Sequence, residues 1–451
     1  MTHIHHTYTQ HIIPLQAIEP FWHLYRQHYA SDLPSRLLEH MVVGRLAEKD
    51  QEVIDAKMEA MMENDPYAKE PIRDESLIVH SDTPMNAETP AAALSTSYLT
   101  PAELFYIRHH HPVPYLNQRE LNDYRLTVDL TAYGKGKIQL TIDDLKKMPK
   151  TEVVATLQCS GNRRGGFNDY KRTSGTAWGQ GAVSTAKWGG VKLSEVLKRA
   201  GLEDPIHAQE VGGMEHIRFY SLDGMRASIG IEKGLNPYGD CIIAYEMNDE
   251  PLPRDHGFPV RAIVPGYAAV RNVKWLETIE LAETEAEGAW QRGLNYKTLP
   301  PSVTNAKSVE LSEMPSMTEV SLFSGITQKE IKADADSKAV KPGDVVMVKA
   351  SGWAWAGGGR NIVRVDLTGD NGKSWTTSTL TDGKQQRFGR AWAWTFWECD
   401  NIPAVVQPDG KVHLASKAVD MTFNVQPESS DHTWNVRGLG NNSWYRTTVT
   451  P

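Results

Sequence analysis

The sequence predicts an α+β domain followed by an all-β sandwich, on three observations. At 451 residues the chain is too long for one ordinary core, so two or three domains are expected. Between residues 96 and 285, β-prone runs interleave with short amphipathic helices and long loops, the texture of an α+β domain. From about residue 320 short strand-like runs alternate with turn residues, and such punctuation implies a sandwich.

Residues 1–50 begin with scattered histidines, five by position 23, and continue into a helical pattern through Leu33, Leu37, Leu38 and Val42. The irregular histidine spacing fits solvated or packing side chains better than a metal or haem site. Residues 51–95 read as a linker: a Met/Glu-rich helix with Met58, Met61 and Met62 leads into Pro66, Pro71, Pro84 and Pro90. In residues 96–320, strands are expected at Tyr124–Leu130, Lys137–Ile142, Val153–Gln158, Ile217–Tyr220, Cys241–Tyr245 and Val260–Val264, with a helix at Leu193–Ala200. Pro300, Pro301 and Pro315 mark the approach to a boundary. In residues 321–451, strands are expected at Val345–Ala350, Ile362–Leu367 and Lys411–Ala418. Asp370-Asn371-Gly372-Lys373 is a strong hairpin signal.

Composition excludes several classes. Hydrophobic content of 40% and charged content of 23% describe a soluble globular protein, and no apolar run approaches bilayer length. A net charge of −8 argues against a general nucleic-acid binder. Three cysteines build no disulfide framework, and no C-x-x-C pair suggests structural zinc. There is no dinucleotide fingerprint, phosphate loop or internal repeat. The first residues resemble neither a signal nor a transit peptide, and the last are not a peroxisomal address. Sequence leaves the compartment open.

The chemistry concentrates at Leu157-Gln158-Cys159-Ser160-Gly161-Asn162-Arg163-Arg164. A β-prone run delivers Cys159 to a tight turn with two arginines immediately after. Thiolate is the metal-ligating form of cysteine, and guanidinium groups nearby favour it. A soft sulfur ringed by fixed positive charge suits a metal centre that handles a small anion. An isolated cysteine would more often be a packed core residue. The surrounding residues decide otherwise, because this stretch closely resembles the molybdenum-cysteine motif of the sulfite oxidase family, with Ser160 in place of the usual alanine.

Other segments carry the resemblance further, over roughly residues 65–451. Tyr106-Ile107-Arg108-His109-His110-His111-Pro112-Val113-Pro114 resembles the family segment whose arginine faces the oxyanion and whose next residues touch the pyranopterin. His109 stands where the family usually has asparagine. Three consecutive histidines in an extended segment point to alternate faces and cannot all ligate one ion. Trp178 corresponds to a tryptophan lining the family's substrate pocket. Asp223 corresponds to an acceptor for the pterin's ring donors. Arg254-Asp255-His256-Gly257-Phe258-Pro259-Val260-Arg261 and Arg271-Asn272-Val273-Lys274-Trp275 match the family's grip on the cofactor's phosphate and pterin edge, through His256, Arg261, Asn272, Val273 and Lys274.

Two positions separate this reading from its nearest alternative, the molybdenum domain of an assimilatory nitrate reductase. Asn295-Tyr296-Lys297 keeps the tyrosine of sulfite oxidases, and Trp434-Asn435-Val436-Arg437-Gly438 keeps their arginine. Gly179 looks more like nitrate reductase.

The resemblance implies a molybdenum–molybdopterin cofactor with Cys159 as the metal ligand. Tyr106, Arg108, His109, His110, Asp223, His256, Arg261, Asn272, Val273 and Lys274 would bind the cofactor. Arg108, Cys159, Arg164, Trp178, Tyr296 and Arg437 would be the catalytic set. The expected reaction is oxidation of sulfite to sulfate, with electrons passed to oxygen or cytochrome c. The C-terminal domain would be an immunoglobulin-like dimerisation domain forming a homodimer. Residues 1–50 resemble the end of a cytochrome-b5-type domain without its haem motif, so no haem is expected there, and the remnant leans toward the mitochondrial intermembrane space. A non-catalytic cofactor carrier and a β-sandwich interaction protein are the readings from other classes.

Overall fold

Strand Lys150–Gln158 organises the molecule. It starts exposed and ends with its last four residues buried. Lys150 and Glu152 stand at the exposed start, and Thr156 and Gln158 are buried with Ala155 and Leu157 at the other end. Residues 65–332 and 340–450 are described in a computed structural model of the chain. The expected helix of residues 1–50, its histidines and the Met58–Met62 cluster lie outside the described residues.

Lys150–Gln158 pairs antiparallel with Val183–Lys192, Lys150 facing Val191 and Gln158 facing Val183. Ile242–Met247 follows, flanked by Glu250–Pro251 and Arg261–Ile263. The sheet closes tightly at Gly190, where a Cβ would sit 2.1 Å from the Ile243 carbonyl oxygen.

A second five-stranded sheet has the order Lys137–Leu140, Leu126–Asp129, Leu276–Ala282, His216–Ser221, Arg226–Gly230. Its pairings are antiparallel except for Leu126–Asp129 with Leu276–Ala282. Residues alternate between buried and part-exposed along His216–Ser221, as a strand with one face on the core must. Leu126, Val128, Ile217, Phe219, Ile279 and Leu281 pack against Val191, Leu193, Val196, Leu197 and Ile243 in one apolar core. Helix Leu193–Arg199 contributes by burying positions spaced three and four apart. Two shorter helices begin at reciprocal caps, Asn117 with Glu120 and Thr141 with Asp144.

The expected linker is corrected in part. Ile78–Asp82 and Met85–Glu88 form a hairpin, and Ile107–Arg108 adds a third strand with Asn86 opposite Arg108. The prolines there punctuate a hairpin that is held in place by the rest of the domain.

The C-terminal region contains two four-stranded sheets. One orders Phe323–Ile331, Val345–Trp355, Thr395–Val405 and Thr379–Leu380. The other orders Thr376–Thr377, Ile362–Thr368, Val412–Asp420 and Tyr445–Val449. Val348, Ala350, Ile402 and Ala404 meet Val365, Leu367, Leu414 and Ala418 in their common core. At the Asn371-Gly372 turn both residues are left-handed, with φ of 61° and 86°, and Asp366 pairs with Thr377 beyond it.

The organising strand also joins the domains. Trp355 Nε1 donates to Gln158 Oε1 at 2.7 Å, and the Trp394 backbone N–H donates to Thr156 Oγ1 at 2.8 Å. Trp353, Trp355 and Trp394 share a buried cluster with Leu94, Val183 and Tyr296.

Candidate active site

Cys159 sits where the buried end of the strand breaks into a turn. The Asn162 N–H returns to the Cys159 carbonyl at 2.9 Å, and Arg163 takes the left-handed φ of 63° that turns the chain into the short helix Arg164–Asn168. The Cys159 sulfur accepts from the Gly161 N–H at 3.4 Å and is buried. Two clefts meet at this sulfur, sharing Arg108, His110, Cys159 and Tyr296 as a common wall.

The deeper cleft, about 670 Å³, is lined by all of the residues expected to hold the cofactor: Tyr106, Arg108, His109, His110, Cys159, Asp223, His256, Arg261, Asn272, Val273 and Lys274. Arg261 spends Nη1 on the His256 carbonyl at 2.8 Å and Nη2 on the Asn272 carbonyl at 2.9 Å, leaving its buried Nε without a partner. Burial pushes this guanidinium down to about 9. His256 donates Nε2–H to the Ala102 carbonyl at 2.9 Å, and burial lowers it to about 4, so it is neutral near pH 7. The Lys274 ammonium donates to the Asp255 carbonyl at 2.9 Å, and burial pushes it well down, with Arg261 adding to the effect. His109 is also held neutral by burial, and its Nδ1 is a buried polar atom without a partner.

These orphaned nitrogens and crowded cations face one carboxylate, Asp223, and one soft sulfur. The set fits a molybdenum–molybdopterin. A phosphate-bearing, acceptor-rich group would satisfy the nitrogens and offset the burial of charge, and the sulfur would take the metal.

Glu70, His109 and Asp255 also bring three ligand-type atoms within 4.8 Å of one another. Arg73 lies among them, donating Nη2 to Asp255 Oδ1 at 2.7 Å and pairing with Glu70. The cluster is an ion-pair lock on the cofactor wall.

The second cleft, more open at about 1350 Å³, is the mouth. Arg108, Cys159, Arg164, Tyr296 and Arg437 line it, so five of the six expected catalytic residues come together there. The sixth does not reach either cleft. Trp178 is fully buried in the core behind the mouth, its ring edge-to-face with His80 at 4.9 Å, and His80 takes the lining position. Its size explains the correction: the indole fills the layer beneath the wall. Trp178→Ala is expected to cost roughly 3–5 kcal/mol of stability, measured by denaturant unfolding.

Burial lowers the Arg164 guanidinium, and the Cys159 sulfur works against that shift. Arg437 is likewise lowered by burial, and both arginines remain cationic. Burial raises Tyr296, which therefore stays a phenol able to donate a hydrogen bond. Its hydroxyl lies 3.2 Å from His110 Nε2, on an imidazole that burial and Arg108 keep neutral. No carboxylate is found among the described residues lining the mouth.

Sequence reasoning missed several contributors. His80, Ser81 and Asn86 come from the hairpin read as linker, and Asn295 was noted only as a neighbour of Tyr296. Ser174 holds Arg437 from an exposed loop. His111 does not line the cofactor cleft; it packs on Trp290 and lies 3.6 Å from Asp223, which does. The Asp223 carboxylate, 3.6 Å away, raises the His111 pKa. The pair therefore stabilises fully below the imidazole's ordinary pKa, and that contribution is lost as pH rises through the raised value. His111→Gln should remove this part of the fall in melting temperature with rising pH.

Residues 110–290 match the oxidoreductase molybdopterin-binding domain, and residues 322–451 match the Mo-co oxidoreductase dimerisation domain. The chain is 39% identical over 439 residues to the mitochondrial sulfite oxidase of Rattus norvegicus, covering 96% of this chain and 75% of that one. It is 34% identical over 381 residues to an NADH nitrate reductase of Phaseolus vulgaris, covering 80% and 41% respectively. Among solved structures it resembles the sulfane dehydrogenase SoxCD of Paracoccus pantotrophus, with a TM-score of 0.62, 25% identity, and coverage of 84% and 88%.

Proposed function

The chain belongs to the sulfite oxidase family of molybdenum oxidoreductases, and from that premise we propose that it oxidises sulfite to sulfate. One observation carries the reading. A buried cysteine sulfur stands between a cleft built for an anionic pterin and a mouth lined by three arginines with no carboxylate among its described residues.

The residues divide the work. His256, Arg261, Asn272 and Lys274 hold the cofactor's phosphate and pterin edge, Asp223 accepts from its ring donors, and Cys159 takes the metal. The bound group supplies the two-electron, oxygen-atom chemistry. Arg108, Arg164 and Arg437 draw the anion in and keep it beside the sulfur, as fixed charges that need no reorganisation. Tyr296 donates its hydroxyl to the substrate's oxygens, from a position 3.2 Å from His110 Nε2.

Oxygen or a cytochrome c takes the electrons. The two C-terminal sheets form an immunoglobulin-like unit through which two copies pair. The mitochondrial intermembrane space suits the likeness to the mitochondrial enzyme. No helix among the described residues is long and apolar enough to cross a membrane.

Sulfite and nitrate assayed side by side on purified protein test the proposal. Turnover of sulfite alone is expected, and turnover of nitrate alone would transfer the chain to the nitrate reductase branch. Stopped-flow reoxidation of sulfite-reduced protein by oxygen and by cytochrome c identifies the acceptor.

A further inference from the structure

We propose that His80 is the proton acceptor of the mouth, aimed by a β-bulge and held by the Glu88 carboxylate, and that it takes up the protons released as sulfite is oxidised. The inference rests on the reading of the mouth as the sulfite site.

Val79 pairs with Ala87 and Ser81 with Asn86, so His80 is the extra residue of the hairpin. Neighbours along a regular strand point to opposite faces, whereas a bulge re-aims a side chain. Here His80 and Ser81 both line the mouth. The imidazole rests edge-to-face on Trp178, and its side chain keeps 20% of its accessible surface. Nε2 lies 3.1 Å from Glu88 Oε1, on a buried carboxylate that also accepts from the Gly179 N–H at 3.1 Å and the Gly181 N–H at 3.0 Å. An ionised carboxylate only accepts, so Nε2 carries the hydrogen and Nδ1 keeps the free lone pair. Glu88 is thus a positioning residue, fixing both the ring and its tautomer.

Sulfite and water give sulfate, two electrons for the acceptor and two protons. Those protons need a base beside the site, and the mouth offers few. Arg108, Arg164 and Arg437 are permanently protonated, and Cys159 is the sulfur assigned to the metal. Burial makes Tyr296 hold its proton, and burial with Arg108 keeps His110 from taking one. Among the described residues lining the cleft there is no carboxylate, and His80 is the remaining side chain with a basic nitrogen. The water that supplies the fourth oxygen of sulfate loses its two O–H bonds over the cycle. Each proton in turn joins Nδ1, where the buried Glu88 carboxylate balances the imidazolium, and then passes to bulk water through the open side of the mouth.

The test measures kcat and KM for sulfite on purified holoenzyme between about pH 5 and 8, the range in which an imidazole changes charge. His80→Gln keeps a donor toward Glu88 but has no basic nitrogen. It should lower kcat by about ten- to a hundredfold, with KM held within about threefold. Added imidazole should return most of the lost rate to the variant and leave the wild-type rate unchanged. Calorimetry of sulfate binding in two buffers of different ionisation heat gives a readout independent of turnover. Wild type should take up part of a proton with each sulfate, because a bound dianion favours the imidazolium, and His80→Gln should take up none. His80→Asn serves the same comparison if the glutamine variant misfolds. A kcat within about twofold of wild type, a loss that imidazole does not restore, or equal proton uptake by wild type and variant would overturn the assignment. Wild-type protein that neither binds sulfate nor oxidises sulfite would instead remove the underlying reading of the mouth.

Discussion

Cys159→Ser is expected to cut sulfite turnover by at least about a thousandfold, the scale on which losing a group that acts directly on the reaction is felt. The loss should be one of chemistry. The fold does not depend on the sulfur, whose one hydrogen bond comes from Gly161 at 3.4 Å and which a hydroxyl replaces with little change of volume. The cofactor should stay bound, because Arg261, Lys274, His256 and Asp223 line the same cleft and are expected to hold it independently of the sulfur. Fluorescence of the extracted, oxidised pterin would check retention, and a steady-state sulfite assay would check activity. Loss of both together would mean that the cysteine anchors the whole group.

Arg437→Met should raise the Michaelis constant for sulfite by roughly a hundredfold, the range for removing one charged partner from a partly buried anion contact, with a smaller effect on kcat. Arg437 is a cleaner probe than Arg164. Arg164 Nε donates to the carbonyls of Arg437 and Gly438, and its Nη1 donates to the Thr176 carbonyl at 2.8 Å. Replacing Arg164 would loosen the domain junction as well as the anion site. Sulfite kinetics unchanged by Arg437→Met would refute the three-arginine mouth.

Much of the site was legible because its parts are local. The cysteine turn, the Arg108–His110 segment and the His256–Lys274 stretch are each short runs in which residue type and spacing point to one chemistry. The structure brings their side chains into one cleft. The hairpin turn at Asn371-Gly372 was legible for the same reason, since its two left-handed residues are a local requirement.

What stayed hidden depends on contacts between distant segments. The hairpin at residues 78–88 looks like a linker until Asn86 finds Arg108 across the sheet. Strand Phe323–Ile331 carries Gln328, Lys329 and Glu330 on its far half, and its polarity masks a pairing with Val345–Trp355. Ser174 is an ordinary loop serine until the C-terminal domain brings Arg437 to it. The resemblance placed Trp178 at the pocket, but no short-range pattern distinguishes an indole that lines a cleft from one a layer behind it.

X-ray absorption at the molybdenum edge, on purified wild-type protein and on Cys159→Ser, tests the central claim most directly. The sulfur of residue 159 should count among the metal's neighbours, so the variant should lose one sulfur scatterer relative to wild type. An identical sulfur count in the two proteins would contradict it.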